Sequence, residues 1–169
     1  TSSDIGILEF KLDNEDGLPE YKDYYSEFSI DHSITEIRDL DFKSDTLYIT
    51  TEYGVFSGNY NHNLKSPSSW TNIYNADNVD QFIPNENHHL IAGNSVHYYN
   101  NGEWDAYNLN LLGQSKQAIF INQVLCILTE EGYFEILEGE IHYSFMMPEI
   151  SHSKTKFTSF LKYNKDVYL

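Results

Sequence analysis

The sequence predicts an all-β chain built from a repeated unit of four short strands, and three observations carry that prediction. Two-residue alternation rich in Tyr, Phe, Ile, Val and Thr dominates, punctuated by Asn-Gly, Gly-Asn and Ser-Asp turn pairs, while helix signals are scarce. Residues 47–54, LYITTEYG, and residues 125–132, LCILTEEG, share the pattern L-x-I-x-T-E-x-G at a distance of 78 residues. An aromatic-bearing strand follows each glycine that closes this pattern, and two apolar strands precede it.

Aligning on the closing glycine sets the elements in order. Gly6-Ile7-Leu8 is an early copy of Gly54-Val55-Phe56 and Gly132-Tyr133-Phe134, and Ser95-Val96-His97-Tyr98 is a degraded one. The spacings between anchors are 48, 41 and 37 residues. The first segments are Gly6 to Leu12 and Tyr21 to Phe28, which supply a third and a fourth strand without a first and a second. A full unit follows with Ile37 to Phe42, Leu47 to Thr51, the Gly54 strand, and Trp70-Thr71-Asn72-Ile73-Tyr74. The next has Val79 to Ile83, Leu90 to Ala92, the Ser95 strand, and Trp104-Asp105-Ala106-Tyr107. The last full unit has Ala118 to Ile121, Leu125 to Thr129, the Gly132 strand, and Ile141 to Phe145. Phe157 to Leu161 and Val167 to Leu169 then begin a further unit. Gln114 to Gln117 is a short helix candidate between units.

Four short strands recurring at roughly 40 residues are the mark of β-propeller blades, each burying its faces against its neighbours. The expected units span 5–28 (half), 34–75, 77–108, 115–147 and 155–169 (half) of a single domain. Three complete blades with a half-blade at each end are either consecutive blades of a larger propeller or a four-bladed ring closed across the termini. In this frame Leu47 and Ile49, like Leu125 and Ile127, point to one face of a second strand. The closing Gly turns the chain into the third strand, where a tight hairpin favours positive φ. Glu52 and Glu130 are then hairpin residues, not a duplicated active site.

The stretch Leu47 to Phe56 resembles the repeat of two-component-regulator-type propellers, which runs as a strand, a Thr, two variable residues, a Gly and a hydrophobic pair. This chain carries Tyr48 and Cys126 where that family commonly has Trp. The Ser69-Trp70-Thr71-Asn72-Ile73 strand after a long loop is similar to propellers of secreted or envelope proteins of bacteria, type IX secretion-associated ones included. The resemblance implies a scaffold and an interaction surface, placed outside the cytoplasm, and brings no catalytic residues with it.

Composition narrows the function classes. The 169 residues are 40 % hydrophobic, enough for a real core, and carry ten Lys+Arg against twenty-six Asp+Glu, a net charge of −16. Arg38 is the one arginine, so a nucleic-acid groove is excluded. No apolar run approaches the roughly 18 residues of a membrane span, so no membrane insertion is expected. Cys126 is the single cysteine, which excludes a disulfide within these residues, and it lies in the apolar run Val124 to Leu128, where a buried inert thiol is expected. The chain starts Thr-Ser-Ser and stops within a strand, as expected of a processed or excised piece of a longer protein.

Candidate chemistry is sparse. Ser68-Ser69-Trp70 ends like an Asp-box, but its S-x-D-x-G core is missing, and one arginine cannot clamp a sialic acid carboxylate. Among twenty-six acids, carboxylate pairs for glycosidase work have no distinguishing spacing. A hydrolase or lyase completed by residues outside this segment is the alternative to a binding module, and a structural subunit of an extracellular assembly is a third reading. His88-His89 is expected in a solvated turn, since neighbouring strand residues face opposite ways and no third ligand is set by spacing. Asp13, Asn14 and Asp16 make an oxygen-rich loop that calcium could use, although hairpin chemistry accounts for such residues equally well. An unfolding temperature indifferent to calcium in calorimetry would remove that site. Tyr24, Tyr25, Tyr98, Tyr99, Trp70 and Trp104 are the candidate platforms for a protein, peptide or glycan ligand. For Trp70 and Trp104, at matching blade positions, packing between blades is the competing account. Open strand edges of the half-blades offer a further route to pairing with another chain.

Overall fold

A computed structural model describes residues 6–12, 18–77, 79–109, 111, 113–146, 161–163 and 166–168. The strands, in chain order, are β1 (Ile7–Leu12), β2 (Pro19–Tyr25), β3 (Ile37–Lys43), β4 (Thr46–Thr51), β5 (Gly54–Asn59), β6 (Trp70–Tyr74), β7 (Gln81–Ile83), β8 (His89–Ala92), β9 (Ser95–Asn100), β10 (Glu103–Ala106), β11 (Ser115–Ile121), β12 (Val124–Thr129), β13 (Gly132–Leu137), β14 (Glu140–Met146), β15 (Leu161–Tyr163) and β16 (Asp166–Tyr168). They form antiparallel sheets β3-β4-β5-β6, β7-β8-β9-β10 and β11-β12-β13-β14, with two hairpins, β1-β2 and β15-β16. Each strand pairs with its neighbour in sequence, and four antiparallel strands in meander order are propeller blades. The chain divides into two compact units, Thr1–Asn78 and Val79–Leu169.

The T-E-x-G pattern is explained atom by atom. The buried Thr51 hydroxyl donates to the Gly54 carbonyl at 3.1 Å and accepts the Tyr53 N–H at 3.1 Å, closing the β4–β5 turn from inside. Thr129 repeats this, donating to the Gly132 carbonyl at 3.2 Å and accepting the Glu131 and Gly132 N–H groups at 3.2 and 3.0 Å. Gly54 has φ +107°, and a Cβ there would sit 1.9 Å from the Tyr74 carbonyl oxygen. Gly132 lies outside the left-handed region; its reason is the Phe145 carbonyl oxygen, 2.7 Å from where a Cβ would stand. Crowding by the fourth strand, common to both copies, is thus the reason for glycine, and positive φ applies only to the first.

In the first unit the core lies between the β1–β2 hairpin and the β3–β6 sheet. Leu47, Ile49, Phe56, Leu64 and Trp70 pack with Tyr25 and Phe28, with Ile7, Ile34 and Ile37 at the margin. The strand expected from Tyr21 to Phe28 runs instead from Pro19 to Tyr25. Phe28 reaches the core from the following loop, 2 % exposed and edge-on to the Trp70 ring at 5.1 Å. Pro19 opens β2, where a missing donor is tolerated.

In the second unit Ile83, Ile91 and Val96 of one sheet meet Ala118, Leu125, Ile127, Phe134 and Ile136 of the next. The Gln81 amide spans this junction, donating to the Ala118 carbonyl at 2.9 Å and accepting the Ala118 N–H at 2.6 Å. The Gln114–Gln117 helix candidate is overturned: the chain is extended from Ser115, with a bulge between Ser115 and Gln117. Pairing with the apolar β12 outweighs the weak local preference of a four-residue stretch. Leu161 begins β15, while the rest of the expected Phe157–Leu161 strand lies outside the described residues.

Candidate functional site

The first unit carries a polar network between the hairpin and the neighbouring sheet. Glu9 of β1 accepts the Lys22 ammonium at 2.6 Å, the Tyr25 hydroxyl at 2.5 Å and the Tyr60 hydroxyl, and Lys22 also donates to Tyr60. Asp23 pairs with Lys65 at 2.6 Å beside it. Partial burial pushes the Glu9 carboxyl up, but the Lys22, Tyr25 and Tyr60 donors outweigh it and hold the group below the ordinary carboxylate range. Burial, then the Glu9 charge, pushes the Tyr25 phenol up, so it stays protonated near neutrality. These groups hold one another in fixed positions, which fastens the hairpin to its neighbour.

Among the sequence candidates, Tyr25 and Trp70 are each 7 % exposed, with the Trp70 indole donating to the Leu64 carbonyl at 3.0 Å. They are core residues of one cluster and offer no ring face to a ligand. Tyr24 is half-buried, with its ring lying over Gly6. Tyr98 and Tyr99, adjacent on β9, face opposite ways. Tyr98 stacks on Tyr107 at 4.4 Å and donates to Asp105 at 3.3 Å. Tyr99 stands opposite Trp104 in the β9–β10 register, with ring centroids 5.3 Å apart. Trp104 in turn leans on the buried Phe82 ring at 6.4 Å, and Tyr99 is flanked by His88 at 6.3 Å. Asp13, Asn14 and Asp16 lie outside the described residues. Among the described residues no group of three or more His, Cys, Asp and Glu side chains is placed to hold a metal ion.

The histidine pair departs from the solvated-turn expectation. His88 takes a turn conformation with φ 39°, whereas His89 opens β8 and is 4 % exposed. The His89 ring bonds Asn85 Oδ1 and Tyr107 Oη, each at 3.0 Å, and stacks on Phe120 at 5.4 Å. Burial, with a smaller push from His88, lowers its pKa to about 4, so it is a neutral core residue at pH 7. Its two hydrogen bonds and aromatic neighbours take the place of solvent.

Sequence reasoning missed the Glu9, Lys22 and Tyr60 network. The available signal was Glu9 itself, an acid on the same face of β1 as Ile7, which packs at the margin of the core. It also missed Phe10–Tyr21 and Phe42–Tyr60, two edge-on ring pairs on the surface with centroids 6.2 and 6.0 Å apart.

These sheets and surfaces define a chain of the β-propeller class. No family model and no curated protein matches it. Among solved structures it is similar to PorZ, an essential bacterial surface component of the type-IX secretion system of Porphyromonas gingivalis, with a TM-score of 0.55 and 19 % identity over 75 % of this chain. The match spans only 17 % of the PorZ chain. The N-terminal domain of Nup159 gives a TM-score of 0.49 and 14 % identity, covering 80 % of this chain and 36 % of that one. A complex of S. cerevisiae Dbp5 with Nup159, Gle1, IP6 and ADP gives the same score and identity, covering 80 % and 35 %. At such identities the PorZ likeness establishes the fold alone.

Proposed function

We propose that the chain is a non-catalytic interaction module that binds a polypeptide partner through the Tyr99–Trp104 pair. One observation carries this reading: two aromatic side chains face each other across β9 and β10, with Tyr99 36 % exposed and Trp104 propped on the buried Phe82. Rings fixed in advance by a packed base lose little conformational freedom on binding, and Trp and Tyr dominate binding hot spots. A glycan would use the same rings by stacking and is the competing ligand class. With the sequence resemblance, the reading places the module outside the cytoplasm of a bacterium, on the cell surface or secreted. Finding the native protein in a cytosolic fraction would overturn that placement.

The test is selection of a phage-displayed peptide library on the immobilised chain, with a glycan array run in parallel. Selected peptides should lose about tenfold or more in affinity with Trp104→Ala, the effect of one hot-spot residue. Peptides indifferent to both Trp104→Ala and Tyr99→Ala would sink the assignment of the site. Binding confined to the glycan array would replace the polypeptide partner with a sugar.

A further inference from the structure

The β7–β10 sheet, which carries the Tyr99–Trp104 pair, holds no Lys or Arg. From Ser66 to Ser115 the sequence contains neither, and between Val79 and Leu109 it contains four carboxylates, Asp80, Glu86, Glu103 and Asp105. Two of these are engaged within the sheet. Asp80 accepts the Gly93 N–H at 2.6 Å, and Asp105 accepts the Ala106 N–H at 2.8 Å and the Tyr98 hydroxyl at 3.3 Å. Glu86 and Glu103 are exposed, and the four described ion pairs engage other carboxylates. Lys116, the first basic residue beyond this run, is itself paired with Glu130 at 2.9 Å.

Backbone geometry brings both remaining carboxylates to the end of the sheet where the rings stand. Asn101 and Gly102, with φ 51° and 93°, form the two-residue turn that an Asn-Gly pair favours between antiparallel strands. That turn sets Asn100 opposite Glu103 and Tyr99 opposite Trp104. The Tyr99 N–H donates to the Asn87 and His88 carbonyls at 2.9 and 3.0 Å, which draws the β7–β8 turn, with Glu86 in it, against the same end. Trp104 rests on the buried Phe82, so its place is set by the core before any ligand arrives. Two aromatic rings and two exposed carboxylates, with no basic side chain among them, make a surface of negative potential. The ring faces contribute partial negative charge and the glutamates a full one.

We infer that the polypeptide partner of the Tyr99–Trp104 pair presents an arginine there, its guanidinium lying on the rings and its N–H groups reaching Glu86 or Glu103. The inference rests on that pair being the interaction surface and adds the chemistry of what the surface takes. Guanidinium fits both halves, since its plane stacks on aromatic faces while its edge donates to carboxylates. An acidic segment is repelled, and a neutral sugar leaves the two glutamates without a role. The net charge of −16 over the whole chain steers a basic segment toward the same surface.

The test titrates the whole chain into fluorescent pentapeptide mixtures with random flanks around a central arginine, citrulline or glutamate. Citrulline keeps the shape of arginine and removes its charge. At low salt the arginine mixture should bind about tenfold more tightly than the citrulline mixture, with the glutamate mixture weakest. A double variant, Glu86→Gln with Glu103→Gln, alters only exposed side chains and should cut that preference to about threefold or less. Raising sodium chloride to about 0.5 M should do the same. Trp104→Ala should weaken binding of the arginine mixture by about tenfold. Equal binding of arginine and citrulline, or no binding of either, would overturn the inference. If the two bind equally and both are lost with Trp104→Ala, the site stands and its preference for a cation falls. An arginine preference indifferent to both Trp104→Ala and Tyr99→Ala would overturn the site and the inference together. A preference unchanged in the double glutamine variant would overturn the pairing with the glutamates.

Discussion

At the scale of single residues, His89 shows how burial changes what a side chain is for. Its histidine partner in sequence and its imidazole chemistry both draw attention to metal or catalysis, yet its surroundings are Tyr107, Phe120 and Asn85. The consequence is a pH dependence of stability. With a folded pKa of about 4 against an ordinary value of 6.5, the unfolded chain takes up the proton first. The contribution of neutral His89 is therefore fully present above pH 6.5, declines as pH falls, and is lost through about pH 4. His97, also lowered by burial and partly restored by Asp105, acts in the same direction. Urea denaturation between pH 6.5 and 5 should show stability falling with acid, and His89→Phe should flatten that slope without abolishing it. An unchanged slope in the variant would mean that His89 is solvated in solution. Below this window Glu9 and Glu52, both held under the ordinary carboxylate range, add their own acid sensitivity.

At the scale of elements, junctions between blades depend on a few polar contacts laid over an apolar core. The Gln81 side chain imitates a peptide group, making both hydrogen bonds that a neighbouring strand would make to Ala118. Gln81→Leu should cost about 1–3 kcal/mol in chemical denaturation, since it leaves a buried carbonyl and N–H without partners. A loss no larger than that of an exposed substitution would show that water substitutes for the amide. Glu52 plays a comparable part, accepting the Thr35 N–H and hydroxyl at 2.5 and 2.7 Å and the Glu36 N–H at 3.1 Å, which ties the approach to β3 onto the β4–β5 turn. Glu130 pairs with Lys116 at 2.9 Å instead. Strands and their order were legible because period-two alternation and turn glycines are local signals, as in Leu47 to Phe56. Phe28, His89 and Ser115 to Gln117 were misread because their state is decided by a neighbouring strand or sheet. Of the aromatic candidates, Tyr99 and Trp104 emerge as a surface pair and Tyr25 and Trp70 as core, a division that depends on which face of each sheet is covered. That information is tertiary and has no counterpart in spacing.

At the scale of the whole molecule, charge opposes compactness. The net −16 is set against four described ion pairs, Lys22–Glu9, Arg38–Glu36, Lys65–Asp23 and Lys116–Glu130. Surface pairs of this kind contribute little each, while the excess of like charge repels throughout. Screening should therefore help more than it harms, and the unfolding temperature should rise by a few degrees, roughly 1 kcal/mol of stability, between low salt and about 0.5 M sodium chloride. A falling unfolding temperature would show that the paired charges, chiefly the Glu9 network, outweigh the repulsion.

The meander order of the sheets has a kinetic corollary. Every described strand pairs with a strand next to it in the chain, so no sheet waits for a distant segment to be synthesised. As the polypeptide leaves the ribosome, β3 to β6 can close before β11 exists, and the β7–β10 sheet can follow as the next cooperative step. Long-range pairing, the slow and aggregation-prone stage of most β proteins, is confined to the faces between sheets. The hairpin β1–β2 is the exception, a nascent piece whose polar fastening to Tyr60 and Lys65 forms only after β5 has emerged.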